Sequence, residues 1–302
     1  MEARRPTLDP ELAARARRLR IRARRLSSEL FTGAFASAFK GRGTELDQVR
    51  EYMPGDDVRR IDWNVTARAH SGEGARAFVK EHRTERELTI LLLVDMSASG
   101  SFGSVMRSKR EMAAELAALL AFAATATNDR VGIGLFTDRV ERYVPPRKGR
   151  AQVARLIREL LTFEPEGTGT DVTAALDYLR RVQRRRAVVF LVSDFIARGY
   201  EDVLGAVASH HEVIALRPID AHELALPDVG MVHLRDAETG AVRLVDTSDA
   251  KIREHYAAAA ARRGRELAET LRMARVPLVD LPVDGTYVDI LTRFFATRRR
   301  RR

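Results

Sequence analysis

Five oxygen-bearing side chains stand at segment ends that a parallel sheet would gather. The run LLLVDMSASGS drives apolar residues from Leu91 into Asp95 and then sets Ser97 and Ser99 at alternate positions. Far along the chain, VVFLVSD ends the same way in Asp194, and GTGTD supplies Thr170 immediately before Asp171. Two carboxylates and three hydroxyls, with no soft donor among them, suit a hard cation such as Mg²⁺ or Mn²⁺. The same residue types cap helices and close turns, so spacing alone leaves both readings open. The coincidence of three chain-distant segments favours the cation. Thr168 competes for the third hydroxyl, and Thr170 is preferred because it directly precedes Asp171.

Those residues need a scaffold that brings strand ends together. Branched apolar runs at 88–95, 130–136, 187–194, 212–220 and 277–284 read as strands. Helical segments at 109–127, 152–163, 172–182, 200–211 and 251–275 alternate with them. VERYVPP reads as an edge strand because two prolines close it. Strands alternating with helices predict an α/β fold with a doubly wound, mostly parallel sheet. In such a sheet ligands bind beyond the carboxyl ends of the strands. The main domain is expected over 88–297, with a hairpin inserted at 228–247 and an arginine tail at 298–302. Before it, 1–33 reads as one basic amphipathic helix, capped by Asp9 and stopped by Gly33. Its stripe of Leu12, Ala16, Leu19, Ala23, Leu26 and Leu30 would dock on the protein or lie on an anionic membrane or RNA. Residues 34–87 read as an irregular segment with short strands.

Composition narrows the functions. The chain has 302 residues and no cysteine, which excludes disulfides, zinc–thiolate sites and thiol catalysis. The net charge of +10 looks like a nucleic-acid signal, but it is concentrated at the two termini and leaves the body close to neutral. Nucleic acid is therefore not the expected partner, although a peripheral membrane contact through the basic termini suits the pattern. The N-terminus has no apolar core of a signal peptide, and no run is long enough to span a bilayer, so a cytoplasmic protein is expected. There is no Gly-Lys pair for a P-loop, no G-x-S-x-G elbow around Ser97 and no H-E-x-x-H. The expectation is a binding module without small-molecule substrate. A metal-dependent hydrolase or phosphatase and a polyanion-binding protein are the alternatives.

The D-x-S-x-S pattern, followed by G-T-D and by S-D at a strand end, resembles the metal-ion-dependent adhesion site of von Willebrand factor A domains. That resemblance implies a Rossmann-like fold. It also implies Ser97, Ser99 and Thr170 as direct ligands of Mg²⁺ or Mn²⁺, with Asp95 and Asp194 acting largely through water. Upstream, GRGTELDQVREYMPGDDVRRIDWNVTARAH (41–70) interleaves arginine with aspartate around Trp63, the only tryptophan. The segment reads chiefly as a charge network that pins an irregular stretch to the sheet, with Trp63 buried. Its other reading is a recognition surface. It resembles the hallmark of a bacterial domain-of-unknown-function family that joins such a segment to an A-type domain. The resemblance implies an adaptor that works with a MoxR-type AAA+ ATPase, contacting it or its client through a carboxylate at the metal.

Overall fold

In the computed structural model the described residues are 10–40, 48–69, 77–81, 87–98, 108–167, 169–235 and 240–301. The chain opens with α1 (Pro10–Leu26) and α2 (Glu29–Lys40). The single helix expected over 1–33 is thus two helices, and Asp9 lies outside the described residues. The break falls at Ser27 and Ser28, where the Ser28 hydroxyl accepts the Phe31 N–H at 3.3 Å and starts the second helix. Gly33 does not stop it, because it lies on an exposed face while Phe31, Phe35 and Phe39 pack inward at i, i+4 and i+8. Those rings meet Phe190 and Phe295, so the interior holds the helix together across the glycine. The stripe of Ala16, Leu19, Ala23 and Leu26 packs against the same core.

A short antiparallel pair follows, β1 (Gln48–Glu51) with β2 (Phe78–Glu81), and α3 (Trp63–Ala69) lies between them in sequence. The main body then runs β3 (Thr89–Asp95), α4 (Lys109–Ala126), β4 (Arg130–Phe136), β5 (Val140–Arg147), α5 (Arg150–Thr162) and α6 (Val172–Val182). It continues through β6 (Val188–Val192), α7 (Glu201–His210), β7 (Glu212–Ile219) and a short α8 (Ala221–Leu224). The hairpin β8 (Met231–Arg235) and β9 (Val242–Asp246) follows, then α9 (Ala250–Met273), β10 (Leu278–Pro282) and α10 (Tyr287–Arg301).

The central sheet has six strands in the order β10-β7-β6-β3-β4-β5. All neighbours are parallel except β5, which runs antiparallel to β4 at the edge where Pro145 and Pro146 can be tolerated. The protein is a mixed α/β structure with a mostly parallel central sheet. Strand β3 feeds both faces: Ile90, Leu92 and Val94 join one core with α1, α2, α4, α5 and α10, while Leu91 and Leu93 join the other with α6, α7 and α9. This period-two division explains why the strand reads as a continuous apolar run. The arginines after 297 do not form a separate tail. Helix α10 carries through Arg301, and Arg298 pairs with Glu212 and lies over the ring of Phe39.

A candidate metal site at the carboxyl edge of the sheet

Chain order places β3 next to β4 on one side and β6 on the other, so the connections leave in opposite directions from the β3–β6 junction. That is the switch point where open α/β sheets form a crevice. Asp95 closes β3 and Asp194 lies two residues beyond β6, one on each side of it.

Asp95 is the hub. Its Oδ1 accepts the Ser97 N–H at 2.9 Å, its Oδ2 accepts the Ser193 hydroxyl at 2.7 Å, and the Ser97 hydroxyl also bonds to it. Burial pushes the Asp95 carboxyl up to about 6, and the neighbouring Asp194 carboxylate pushes the same way. Ser97 is 2 % exposed. Segment 169–171 is drawn to the end of β4 by the Asp171 N–H, which donates to the Thr137 carbonyl at 2.8 Å, and Asp171 then caps α6 through the Ala174 N–H. The Thr170 hydroxyl is buried and has no hydrogen-bond partner among the described residues. Asp95, Ser97 and Asp194 are therefore brought together, and Thr170 is carried to the adjoining strand end. Ser99 and Thr168 lie outside the described residues.

Sequence reasoning missed Lys109 and Glu223. Lys109 opens α4 after the Ser108 cap and is 3 % exposed. Its Nζ donates to Asp194 Oδ2 at 3.4 Å and forms an ion pair with Glu223 Oε1. Glu223 spends its other oxygen on the Asp220 N–H, closing the capping box of α8. The available signal was a cation in the first turn of a helix, where the macrodipole disfavours it. Such a local misfit calls for a partner elsewhere in the fold. Beyond Asp194 the backbone turns sharply: Phe195 has φ +59, a left-handed conformation costly for a bulky residue. The Ser193 hydroxyl accepts its N–H at 3.0 Å and Asp194 Oδ1 accepts the Ile196 N–H at 3.1 Å, which holds the turn.

These residues fit a divalent cation in two respects. A buried threonine hydroxyl lacks a partner, and burial and the neighbouring Asp194 carboxylate together raise the cost of ionising Asp95. Lys109 already supplies part of the countercharge at Asp194. No three Asp, Glu or His side chains cluster as a ready metal nest among the described residues, so a cation here would lean on hydroxyls.

The signature segment differs from its expected state. Trp63 is not buried but 69 % exposed, and Met53 and Val58 are exposed beside it in the chain. The aspartates turn inward to the backbone: Asp56 Oδ2 accepts the Met53 N–H at 2.9 Å, Asp57 Oδ1 the Arg59 N–H at 3.0 Å, and Asp62 Oδ1 the N–H groups of Asn64 and Val65. Local turn capping shapes this stretch. Trp63 opens α3 on its outer side, so the helix presents it to solvent.

The fold and rim define a doubly wound α/β protein with an oxygen-lined crevice at the sheet's switch point. Within that class, the family described as "Protein of unknown function DUF58" matches residues 48–266, and the chain belongs to it. It is 37% identical over 295 residues to the "Uncharacterized protein Rv1480" of Mycobacterium tuberculosis, covering 97% of this chain and 91% of that one. It is 39% identical over 160 residues to the "Uncharacterized protein MAV169" of Mycobacterium avium, covering 52% of this chain and 94% of that one. Among solved structures, the conserved hypothetical protein BatB from Bacteroides thetaiotaomicron is similar with a TM-score of 0.46 and 16% identity, over 70% of this chain and 99% of that one. The SpRpn10 VWA domain is similar with a TM-score of 0.37 and 11% identity, over 69% of this chain and 95% of that one. Among the described residues, no helix is long and apolar enough to cross a membrane.

Proposed function

We propose that this chain is a von Willebrand factor A-like module that binds a partner protein through Mg²⁺ or Mn²⁺ and catalyses no reaction itself. The observation that carries the reading is the rim: Asp95 and Asp194 flank the switch point, and the buried Thr170 hydroxyl lacks a partner. Asp95, Ser97, Thr170 and Asp194 would hold the cation, together with Ser99. The cation supplies a positive centre with a position open to a carboxylate of the partner. The protein's own residues prepare that position. Ser193 and the Ser97 N–H fix the Asp95 carboxylate, and Lys109 and the Ile196 N–H fix Asp194. Without the cation, an incoming carboxylate would face two like charges and be repelled.

The sequence resemblance names the partner as a MoxR-type AAA+ ATPase or its client, in the cytoplasm, with this chain as the adaptor in assembly or activation. Two measurements test the reading. Stripped protein should bind Mn²⁺, followed by paramagnetic resonance, and Asp95→Ala or Ser97→Ala should lose it. The co-expressed ATPase should be recovered with the tagged chain in Mg²⁺ and lost in EDTA, and lost with Thr170→Ala or Asp194→Ala. Equal recovery in all of these would sink the metal-bridged contact.

A second reading has its own support. Arg15, Arg17, Arg18, Arg20, Arg22, Arg24 and Arg25 of α1 are all exposed, although Arg22 also pairs with Glu115. A basic face of this kind binds polyanions, and retention on heparin falling steeply with salt would reveal it.

A further inference from the structure

Lysine is rarely sealed from water, yet Lys109 is 3 % exposed in the first turn of α4. A buried ammonium needs countercharge, and its Nζ lies between two carboxylates, Asp194 and Glu223. The two contacts are unequal. Nζ is closer to Glu223 Oε1 than to Asp194 Oδ2, which is 3.4 Å away and beyond the usual span of an N–H···O hydrogen bond. Glu223 is therefore the firmer partner and Asp194 the looser one.

Every oxygen of the two rim carboxylates already has a donor. Asp95 accepts the Ser97 N–H and the Ser193 hydroxyl, and Asp194 Oδ1 accepts the Ile196 N–H at 3.1 Å. Those donors are neutral, and each leaves its oxygen a lone pair for a cation or for a water on one. Lys109 differs because it brings a full positive charge to Asp194 Oδ2. Two cations on one carboxylate repel each other, and burial strengthens the repulsion.

The other cation near this carboxylate is directed elsewhere. The charged residues lining the small cavity at the rim are Asp95, Asp194, Lys109 and Arg110. Arg110 Nη2 donates to the Phe163 carbonyl at 2.6 Å. Among the described residues, Lys109 is thus the cation that bonds Asp194, and its second carboxylate, Glu223, gives it a place to remain when Asp194 is taken.

We infer that Lys109 sets how tightly the rim holds a divalent cation: its ammonium occupies Asp194 while the cation is absent, and it yields Asp194 and keeps Glu223 when the cation binds. The inference deepens the metal-rim reading and rests on it for the competing ion. Lys109 touches no metal in this account. It is a positioning residue that acts through Asp194, and its removal should improve the site it belongs to.

Two measurements on the full chain test this. The first is Mn²⁺ titration of stripped protein, followed by paramagnetic resonance, for the wild type, Lys109→Gln, Lys109→Met and the control Arg110→Gln. Lys109→Gln keeps an amide donor and removes the charge, whereas Lys109→Met removes both. Both Lys109 variants should bind Mn²⁺ about tenfold or more tighter than the wild type, and Arg110→Gln should differ from it by less than about threefold. The second is nitrogen NMR of lysine-labelled wild type during Mg²⁺ titration. The chain has five lysines, Lys40, Lys80, Lys109, Lys148 and Lys251, few enough to follow each side-chain signal. The signal that is missing in Lys109→Gln should move as Mg²⁺ saturates, and the other four should stay in place.

Wild-type binding with equal or weaker binding in both Lys109 variants would overturn the inference and leave the metal reading standing. Equal tightening in Arg110→Gln would overturn it too, because any nearby positive charge would then do the same. A Lys109 signal that stays in place while the wild type saturates with Mg²⁺ would show that the ammonium never leaves Asp194, with the same result. Mn²⁺ binding by Lys109→Gln but not by the wild type would support the inference and remove the metal-bridged contact. No binding by any of the four proteins would overturn the metal reading and this inference with it. The NMR titration reads the wild-type chain, so the test stays decisive even if Lys109→Met does not fold.

Discussion

At the carboxyl edge, Lys109, Asp194 and Ser97 are nearly sealed from solvent, whereas in the signature segment Met53, Val58 and Trp63 face outward. The first region buries polarity, and its carboxylates are held by specific partners: Asp95 by Ser97 and Ser193, Asp194 by Lys109. The second exposes apolar surface and uses its carboxylates for local turns. Neither is what a fold alone requires. Buried ionic groups seldom add net stability over well-packed apolar ones. A large apolar side chain left in water forgoes roughly 1.5–3 kcal/mol of burial. Where a chain does both, the two regions are candidates for contact with something else. The difference lies in what each can offer: a fixed, charged rim to a polar ligand, and a shapeless apolar patch to a surface.

The contrast is sharpest in stability, and Lys109 carries the largest expected effect. Removing one partner from a buried charge cluster strands the others, which costs about 3–5 kcal/mol. Lys109→Met should therefore lower the urea midpoint markedly, with the slope unchanged. Adding Asp194→Asn in the same chain should restore part of the loss, because one stranded charge is removed. If Lys109→Met is as stable as the wild type, the rim charges are not buried in solution and the comparison collapses.

A second buried polar group tests the same principle through pH. His211 is buried at the start of β7, and its Nδ1 accepts the Ala187 N–H at 3.2 Å. Burial, with His210 adjacent, pulls its pKa down to about 4. A histidine depressed in the fold contributes fully above its unfolded value near 6.5. That contribution is lost as pH falls toward 4, because the unfolded chain takes up the proton first. Stability should drop by roughly 1–2 kcal/mol between pH 7.5 and 5 from this group. In His211→Asn, whose side-chain carbonyl can accept the same N–H, that part of the pH dependence should vanish. An unchanged slope in the variant would assign the acid loss elsewhere.

Much of the α/β body was legible because its signals are local. The apolar runs of β3, β4 and β6 and the pair Pro145-Pro146 mark strand type and edge without reference to distant residues. Asp95 and Asp194 were legible as rim residues for the same reason: both end apolar runs, and a parallel sheet aligns such ends. What was misread depended on tertiary context. Gly33 looks like a helix stop, yet Phe31, Phe35 and Phe39 pack on Phe190 and Phe295 and carry the helix past it. Trp63 looked buried because tryptophans usually are, whereas its side chain depends on which way α3 faces. Lys109 gave little sign of its role, since its partners lie far away in sequence and only the fold brings them to it.

The smallest effect on stability is expected in the signature segment, and it decides between that segment's two readings. A packed charge network would make Asp57→Ala or Arg59→Ala cost on the order of 3 kcal/mol. In the structure both side chains are exposed, and Asp57 bonds only the Arg59 N–H, so its loss should cost about 0.5–1 kcal/mol, as for a cap residue. Arg59→Ala and Trp63→Ala should shift stability by no more than about 0.5 kcal/mol, as exposed substitutions do. If the exposed Met53, Val58 and Trp63 form a contact surface, Trp63→Ala should still reduce recovery of the co-expressed ATPase, because an aromatic anchor supplies much of an interface's energy. That reduction should persist in EDTA and add to the effect of Asp95→Ala, since the two surfaces would touch the partner separately. A large loss of stability in Trp63→Ala would mean that the ring is packed in solution, and the segment would revert to a structural role. Unchanged stability with unchanged recovery would leave the rim as the only surface with a case for the partner.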